Sequence, residues 1–148
     1  MRFLEKGLVK VGAKAADAED AIKQAGVLLA DAKTVEDVYI DAMVQSFQEN
    51  GPYFVLAPHI AIPHARPEDG VKEASVSLLQ LKEPITFGHS SNDPVQLIFG
   101  LGASSSEEHI DLLKKLTQLL NKEENVNQLR TAASYHDIKT IIEMEENK

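Results

Sequence analysis

Two side chains suited to binding an oxyanion lie two residues apart in the segment APHIAIPHARPE, residues 57–68. The imidazole of His64 titrates near neutral pH, and the guanidinium of Arg66 matches the geometry of a tetrahedral oxyanion. Pro63 and Pro67 keep the segment extended, because each proline biases the residue before it away from the helical region. Side chains two apart on extended backbone point the same way, so both would face one small volume. The alternative is a stiff surface loop without chemistry.

A second imidazole, that of His109, is predicted to lie in the first turn of a helix. It follows the small residues GLGASSS, 100–106, which include the end of an apolar strand. Helix N-termini carry free N–H groups and a positive partial charge, which attract phosphate and lower the pKa of a nearby imidazole. The alternative for His109 is an exposed residue after a serine-rich N-cap.

The other three histidines give weaker signals. His59 lies five residues before His64, which is a poor spacing for a metal on extended backbone, and no zinc-type cluster accompanies the pair. His89 lies in a turn and His136 near a helix start, and both are predicted to be solvated. We therefore predict no metal site and no organic cofactor.

The imidazole itself is the best nucleophile that the chain offers. There is no cysteine, and the sequence contains no serine-nucleophile elbow, phosphate-binding P-loop or dinucleotide glycine pattern. A histidine that accepts a phosphoryl group, with nearby donors holding the oxygens, fits the residues. A small-molecule hydrolase or isomerase with a histidine pair also stays open, with Glu68 and Asp69 as its carboxylates.

Apolar periodicity predicts the elements that would position these side chains. Strands are predicted at 6–12, 74–81 and 95–101, and short apolar pieces at 53–56 and 60–62. Helices are predicted over 17–32, 34–50 and 106–121. Two short helices follow them, the last beginning near Ser134. This order is typical of a mixed α/β or α+β layer protein in which helices cover a sheet.

Local signals predict the helix ends and faces. Asp17 is the expected N-cap of the first helix, Thr34 with Asp37 resembles a capping box for the second, and Asn50-Gly51 would end it. The second helix is expected to bury Val35, Val38, Tyr39, Ala42, Met43 and Phe47, and the third Ile110, Leu113, Leu116, Thr117 and Leu120.

Length and charge narrow the function classes. The 148 residues predict a single domain, 1–148. A net charge of −8, with 15 basic and 23 acidic residues and no basic block, argues against nucleic-acid binding. Without a signal peptide or a membrane-length apolar run, the expected location is the cytoplasm, with no direct membrane insertion.

The histidine segments resemble the EIIA components of the bacterial phosphoenolpyruvate-dependent sugar phosphotransferase system. The likeness is to the mannitol/fructose superfamily, specifically its ascorbate-type branch. It rests on GPYFV (51–55), AP (57–58), IPHARPEDGV (62–71) and EHI (108–110) before an apolar helix.

The resemblance implies a fold and a reaction. The fold is a single α/β domain, with a mixed β-sheet flanked by helices on both faces. His64 would take a phosphoryl group from phospho-HPr and pass it to a cysteine of a cognate EIIB, while His109 helps to hold the group. The membrane EIIC would bind the carbohydrate, with L-ascorbate expected and pentitol, galactitol, mannitol or fructose left open.

One departure from the family pattern concerns an arginine. Mannitol-type proteins carry an arginine just before the active-site strand, where this chain has none in 45–49. We therefore expect Arg66 to support the phosphoryl group instead. HPr would contact Ile60, Ile62 and exposed apolar residues near the third helix. A regulatory EIIA-like domain and a homodimer both stay open.

Overall fold

The computed structural model describes residues 1–147. Within them the strands are Arg2–Phe3 (β1), Val9–Ala13 (β2), Ile60–Ala61 (β3), Ser75–Ile85 (β4) and Val95–Gly102 (β5). The α-helices are Ala18–Asp31 (α1), Asp37–Asn50 (α2), Ser106–Leu120 (α3), Glu123–Thr131 (α4) and Tyr135–Glu146 (α5). Short 3₁₀ turns lie at Lys6–Leu8 and Pro67–Asp69. The predicted strand over 6–12 thus begins only at Val9, and the apolar piece 53–56 forms no strand.

The five strands form one mixed sheet with β4 and β5 at its centre. These two strands run antiparallel, with Leu79 opposite Ile98 and Ser75 opposite Gly102. Strands β1 and β2 pair parallel with β4, and β3 pairs parallel with β5. Every residue of β5 is buried, as the continuous apolar sequence predicted for a strand covered on both faces.

Helices cover both faces of this sheet, which confirms the predicted fold class. Successive strand residues point to opposite faces, so Leu78 and Leu79 of β4 belong to different cores. One core, against α1 and α2, contains Ile22, Leu29, Tyr39, Met43, Leu79 and Ile98. The other, against α3, α4 and α5, contains Leu78, Leu97, Phe99, Leu112, Leu116 and Ile138.

Two of the predicted helix ends are confirmed. The carboxylate of Asp17 accepts a hydrogen bond from the N–H of Asp20 at 2.8 Å, so it caps α1. Gly51 ends α2 at a φ of +72°, a conformation that glycine adopts without a Cβ clash.

The predicted capping box at Thr34 is wrong. Helix α2 begins at Asp37, and its N-cap residue Glu36 makes no side-chain capping bond. Thr34 is buried, and its hydroxyl donates to the carbonyl oxygen of Leu29 at 3.0 Å and accepts from the hydroxyl of Ser75 at 2.8 Å. A buried hydroxyl needs such partners, so Thr34 joins α1 to β4 instead of capping α2.

The predicted inward face of α3 is rotated from the observed one. The fully buried residues are Leu112, Leu116 and Leu119, whereas Ile110 is 51% exposed. Leucines occupy both candidate stripes, so the period alone did not decide which stripe faces the sheet.

Candidate functional site

The fold places His64 where a strand hands over to a loop, as predicted. After β3 the chain continues along the end of β5, where the N–H of Leu101 donates to the carbonyl oxygen of Pro63 at 3.1 Å. His64 then pairs as an isolated parallel bridge with Leu101. The imidazole therefore stands at the carboxyl end of the parallel pair β3–β5, an edge at which open sheets commonly carry functional groups.

The same edge receives His109. Strand β5 ends at Gly102, and after a short connection α3 begins at Ser106, which puts His109 at the end of the first helical turn. The ring centroids of His64 and His109 are 5.0 Å apart, with their planes inclined by 59°. The structure thus brings together the two histidines that the sequence singled out.

One hydrogen bond sets the tautomer of His64. Its Nδ1 lies 2.9 Å from the carbonyl oxygen of Ile62. A carbonyl oxygen can only accept, so Nδ1 carries the proton and donates it. In the neutral ring Nε2 then keeps its lone pair and is the nitrogen able to act as a nucleophile.

Burial and a neighbouring imidazole both act on His109. Its half-buried ring has a pKa below the ordinary value, first because burial disfavours the charged form and second because His64 is close. The direction is the one predicted, whereas the predicted cause was the helix N-terminus. His109 is therefore neutral at pH 7, where it can donate one hydrogen bond and accept another.

The N-terminus of α3 is held by its own side chains. The hydroxyl of Ser105 accepts from the N–H of Glu108 at 3.2 Å, which caps the helix. The carboxylate of Glu108 reaches back and accepts from both the N–H and the hydroxyl of Ser104, which lowers the pKa of Glu108. These bonds fix the connection that precedes His109.

One exposed aromatic side chain lies against His64, and an exposed apolar residue follows His109 in the chain. The ring of Tyr53 meets His64 edge-on at 6.1 Å, its hydroxyl lies 2.9 Å from that of Ser46, and the residue is 45% exposed. Ile110 follows His109 and is also exposed. The prediction that Ile60 and Ile62 meet a partner is wrong, because both belong to the core and are only 3% and 5% exposed.

Arg66 is engaged by carboxylates of its own loop. Its guanidinium lies 3.4 Å from Asp69 and 3.5 Å from Glu68, and its side chain is 74% exposed. These exposed ion pairs are weak, so they leave the guanidinium able to exchange partners. A role for Arg66 beside the phosphoryl group stays a prediction.

The remaining histidines lie in structural or exposed positions. His59 has a φ of +71°, and its Nδ1 lies 2.9 Å from the carbonyl oxygen of Pro94. His89, predicted to be solvated, is half-buried and accepts from the N–H groups of Ser91 and Asn92, whereas His136 is exposed as predicted. Among residues 1–147 no three metal-binding side chains cluster.

The sequence predicted for Tyr39 only a place on the buried face of the second helix. The structure places its hydroxyl between Ala65, the residue after His64, and Leu101 at the end of β5. A tyrosine at a buried position was the available signal, because a buried phenol hydroxyl must find a hydrogen-bond partner. The sequence alone does not identify that partner.

Comparison with known proteins decides the family. The family "Phosphoenolpyruvate-dependent sugar phosphotransferase system, EIIA 2" matches residues 2–145. The chain belongs to this family. Its function is phosphoryl relay through a phosphohistidine, with HPr as donor and an EIIB as acceptor in carbohydrate uptake. Within the part of the chain described here, no helix is long and apolar enough to cross a membrane.

Relatives of known structure or name agree with this assignment. The ascorbate-specific EIIA component of Shigella boydii is 35% identical over 94% of this chain and 91% of its own. The mannitol-specific cryptic enzyme IIA CmtB of Escherichia coli is 37% identical, with a TM-score of 0.84 over 96% of this chain and 95% of that one. The E. coli mannitol IIA, solved in complex with phosphorylated IIB, is 30% identical with a TM-score of 0.84, over 96% and 99%.

Proposed function

We propose that His64 is the phosphoryl acceptor and that Nε2 is the nitrogen that attacks. The observation that carries the proposal is the hydrogen bond from Nδ1 to the carbonyl oxygen of Ile62, which leaves the Nε2 lone pair free. In the first step Nε2 forms a bond to phosphorus while the bond between phosphorus and the HPr donor breaks. In the second step a cysteine sulfur of EIIB takes the phosphoryl group, and Nε2 regains its lone pair.

His109 holds the phosphoryl oxygens while the group resides on His64. The ring centroids are 5.0 Å apart, which is close enough for His109 to contact a phosphoryl group carried by His64. A neutral His109 has one N–H, which it donates to a phosphoryl oxygen. Arg66 supplies a second contact if the phosphoryl dianion displaces its exposed carboxylate partners.

The exposed apolar rim of the site suits protein partners. Tyr53 lies edge-on to His64, and Ile110 follows His109 on α3; both are exposed and would be covered when HPr or EIIB docks. Both partners must bring their reactive atom to His64 in turn, so one overlapping surface serves for both. We place this exchange in the cytoplasm.

L-ascorbate is the carbohydrate that we propose for the whole system. The name of the Shigella boydii relative supports it, at 35% identity over nearly the whole chain. The structural likeness to CmtB favours mannitol as the second candidate. Because the membrane EIIC binds the carbohydrate, the choice is tested by presenting the phosphorylated protein to purified ascorbate and mannitol EIIB domains and comparing transfer rates.

Labelled phosphoenolpyruvate, enzyme I and HPr test the central proposal. The protein should acquire acid-labile label, His64→Gln should acquire none, and the control His136→Gln, at an exposed position on α5, should label like the wild type. Label that survives in His64→Gln would refute His64 as acceptor. Label that forms but passes to neither EIIB would favour the regulatory alternative. In the labelled protein, ¹⁵N–³¹P coupling should assign phosphorus to Nε2.

A further inference from the structure

We propose that Tyr39 is a positioning residue, whose hydroxyl holds the segment that carries His64 in register with the segment that leads to His109. This inference rests on the proposed function of the two histidines. Tyr39 belongs to α2, an element that carries neither histidine, and its ring lies in the core.

The hydroxyl of Tyr39 bridges the two segments directly. Its oxygen accepts a hydrogen bond from the N–H of Ala65 at 2.9 Å. The same hydroxyl lies 2.7 Å from the carbonyl oxygen of Leu101 and 3.3 Å from that of Ala65. It carries one proton, and the shorter distance assigns that proton to Leu101.

Burial keeps this bridge intact over the range of working pH. Tyr39 has no exposed surface. Burial raises its pKa to about 12, so the hydroxyl stays protonated and continues to donate to Leu101.

The other anchors of the loop lie on either side of this bridge. Before His64, the N–H of Ile62 donates to the carbonyl oxygen of Phe54 at 3.0 Å, and the N–H of Leu101 donates to that of Pro63 at 3.1 Å. After it, the N–H of Glu36 donates to the carbonyl oxygen of Gly70 at 2.7 Å. Tyr39 therefore restrains the middle of the loop, directly beside the residue that reacts.

Removing only the hydroxyl should loosen the pair of histidines without touching the docking surface. In Tyr39→Phe the N–H of Ala65 loses its acceptor and the carbonyl of Leu101 loses its donor. A reacting group displaced by about 1 Å reduces a rate by up to roughly 100-fold. We expect kcat for transfer from phospho-HPr to fall about 10-fold or more, with KM for phospho-HPr unchanged.

Ser77→Ala provides the matched control. Ser77 is fully buried in β4, and its hydroxyl donates to the carbonyl oxygen of Ala25 at 2.9 Å. It makes this bond within the core formed by α1 and the sheet, so the variant also loses one buried hydroxyl and one hydrogen bond. Urea unfolding of both variants measures the loss of stability that each substitution causes.

Two further readouts report position rather than stability. Hydrogen exchange of the Ala65 amide should accelerate in Tyr39→Phe and stay unchanged in Ser77→Ala. The NMR titration of His109 should move towards its ordinary pKa in Tyr39→Phe, because a looser loop separates it from His64 and exposes it to water. Glu108 is the nearby carboxylate on the same helix, and its bonds to Ser104 do not involve Tyr39.

The two proposals fail in different ways. A fall in kcat confined to Tyr39→Phe, with faster Ala65 exchange, would support the positioning role. Equal slowing in both variants, or a Tyr39→Phe rate equal to that of the wild type, would overturn it. If the wild type itself takes no label on His64, the proposed function fails, and the amide exchange and His109 titration still decide whether Tyr39 sets the spacing of the two histidines.

Discussion

Replacing His109 by alanine removes the second imidazole and should slow phosphoryl transfer without removing the acceptor. A hydrogen bond to a charged group contributes roughly 1.5–3 kcal/mol. His109 is half-buried, so water competes for part of that contribution. Taking the lower half of the range, we expect kcat to fall roughly 10- to 40-fold, since each 1.4 kcal/mol corresponds to a factor of ten.

His109→Gln is the informative companion, because glutamine retains an N–H donor on a side chain of similar reach. It should recover part of the rate that His109→Ala loses. Rapid-quench measurement of transfer from labelled phospho-HPr, at several donor concentrations, separates kcat from KM. His64→Gln sets the baseline, and circular dichroism checks that α3 is intact in each variant.

Two results would refute this reasoning about His109. A wild-type kcat in His109→Ala would mean that the second imidazole does not contact the phosphoryl group during transfer. A rise in KM with kcat unchanged would assign His109 to partner docking, for which exposed Ile110 beside it would be the natural neighbour.

Four further outcomes follow from individual contacts. Ser105→Ala removes the N-cap of α3 and should lower the free energy of unfolding by about 1 kcal/mol. Thermal unfolding would record this as a fall in Tm of about 3 °C. In Gly100→Ala the new Cβ would lie 2.6 Å from a serine hydroxyl of β4, so urea unfolding should show a free energy of unfolding lower by roughly 1–3 kcal/mol. In the control Gly7→Ala the new Cβ meets no atom within 4 Å, so this variant should not lose stability through such a clash. Arg66→Ala should slow transfer measurably but less than about fivefold, because the contacts of its side chain are exposed; a wild-type rate would mean that Arg66 does not contact the transferring group. The pKa of His109 is lowered in the folded protein, so the unfolded state binds more protons between that pKa and the ordinary 6.5. The free energy of unfolding of the wild type should therefore rise with pH through this window. It should rise less in His109→Ala.

Features that depend on neighbouring residues could be predicted from the sequence. The prolines around His64 restrict the backbone directly, and the predicted strand-to-loop position is the observed one. Ser134 caps α5 by accepting from the N–H of Asp137, a contact three residues away. Such contacts need only residues three apart, so the sequence predicts them where no distant partner competes for the capping side chain.

Features that depend on partners distant in the chain could not be predicted from the sequence. Thr34 has the composition of a capping residue, but its hydroxyl bonds to Leu29 and Ser75 only because α1 and β4 meet there. Ile110 fits an apolar stripe of α3, and the position of the sheet decides that another stripe is buried. The same holds for Tyr39, whose partners lie 26 and 62 residues away.

The proximity of the two histidines also depends on distant partners, because it requires β3 to lie parallel to β5. Strand β3 has only two residues, too few for its ladder alone to fix it. His59, the imidazole without a predicted role, supplies the missing restraint. Its carbonyl oxygen accepts from the N–H groups of Gln96 and Leu97 at 3.0 Å, and its ring is bonded to the carbonyl of Pro94. His59 thus fixes the start of β3 against β5, and with it the position from which His64 reaches His109.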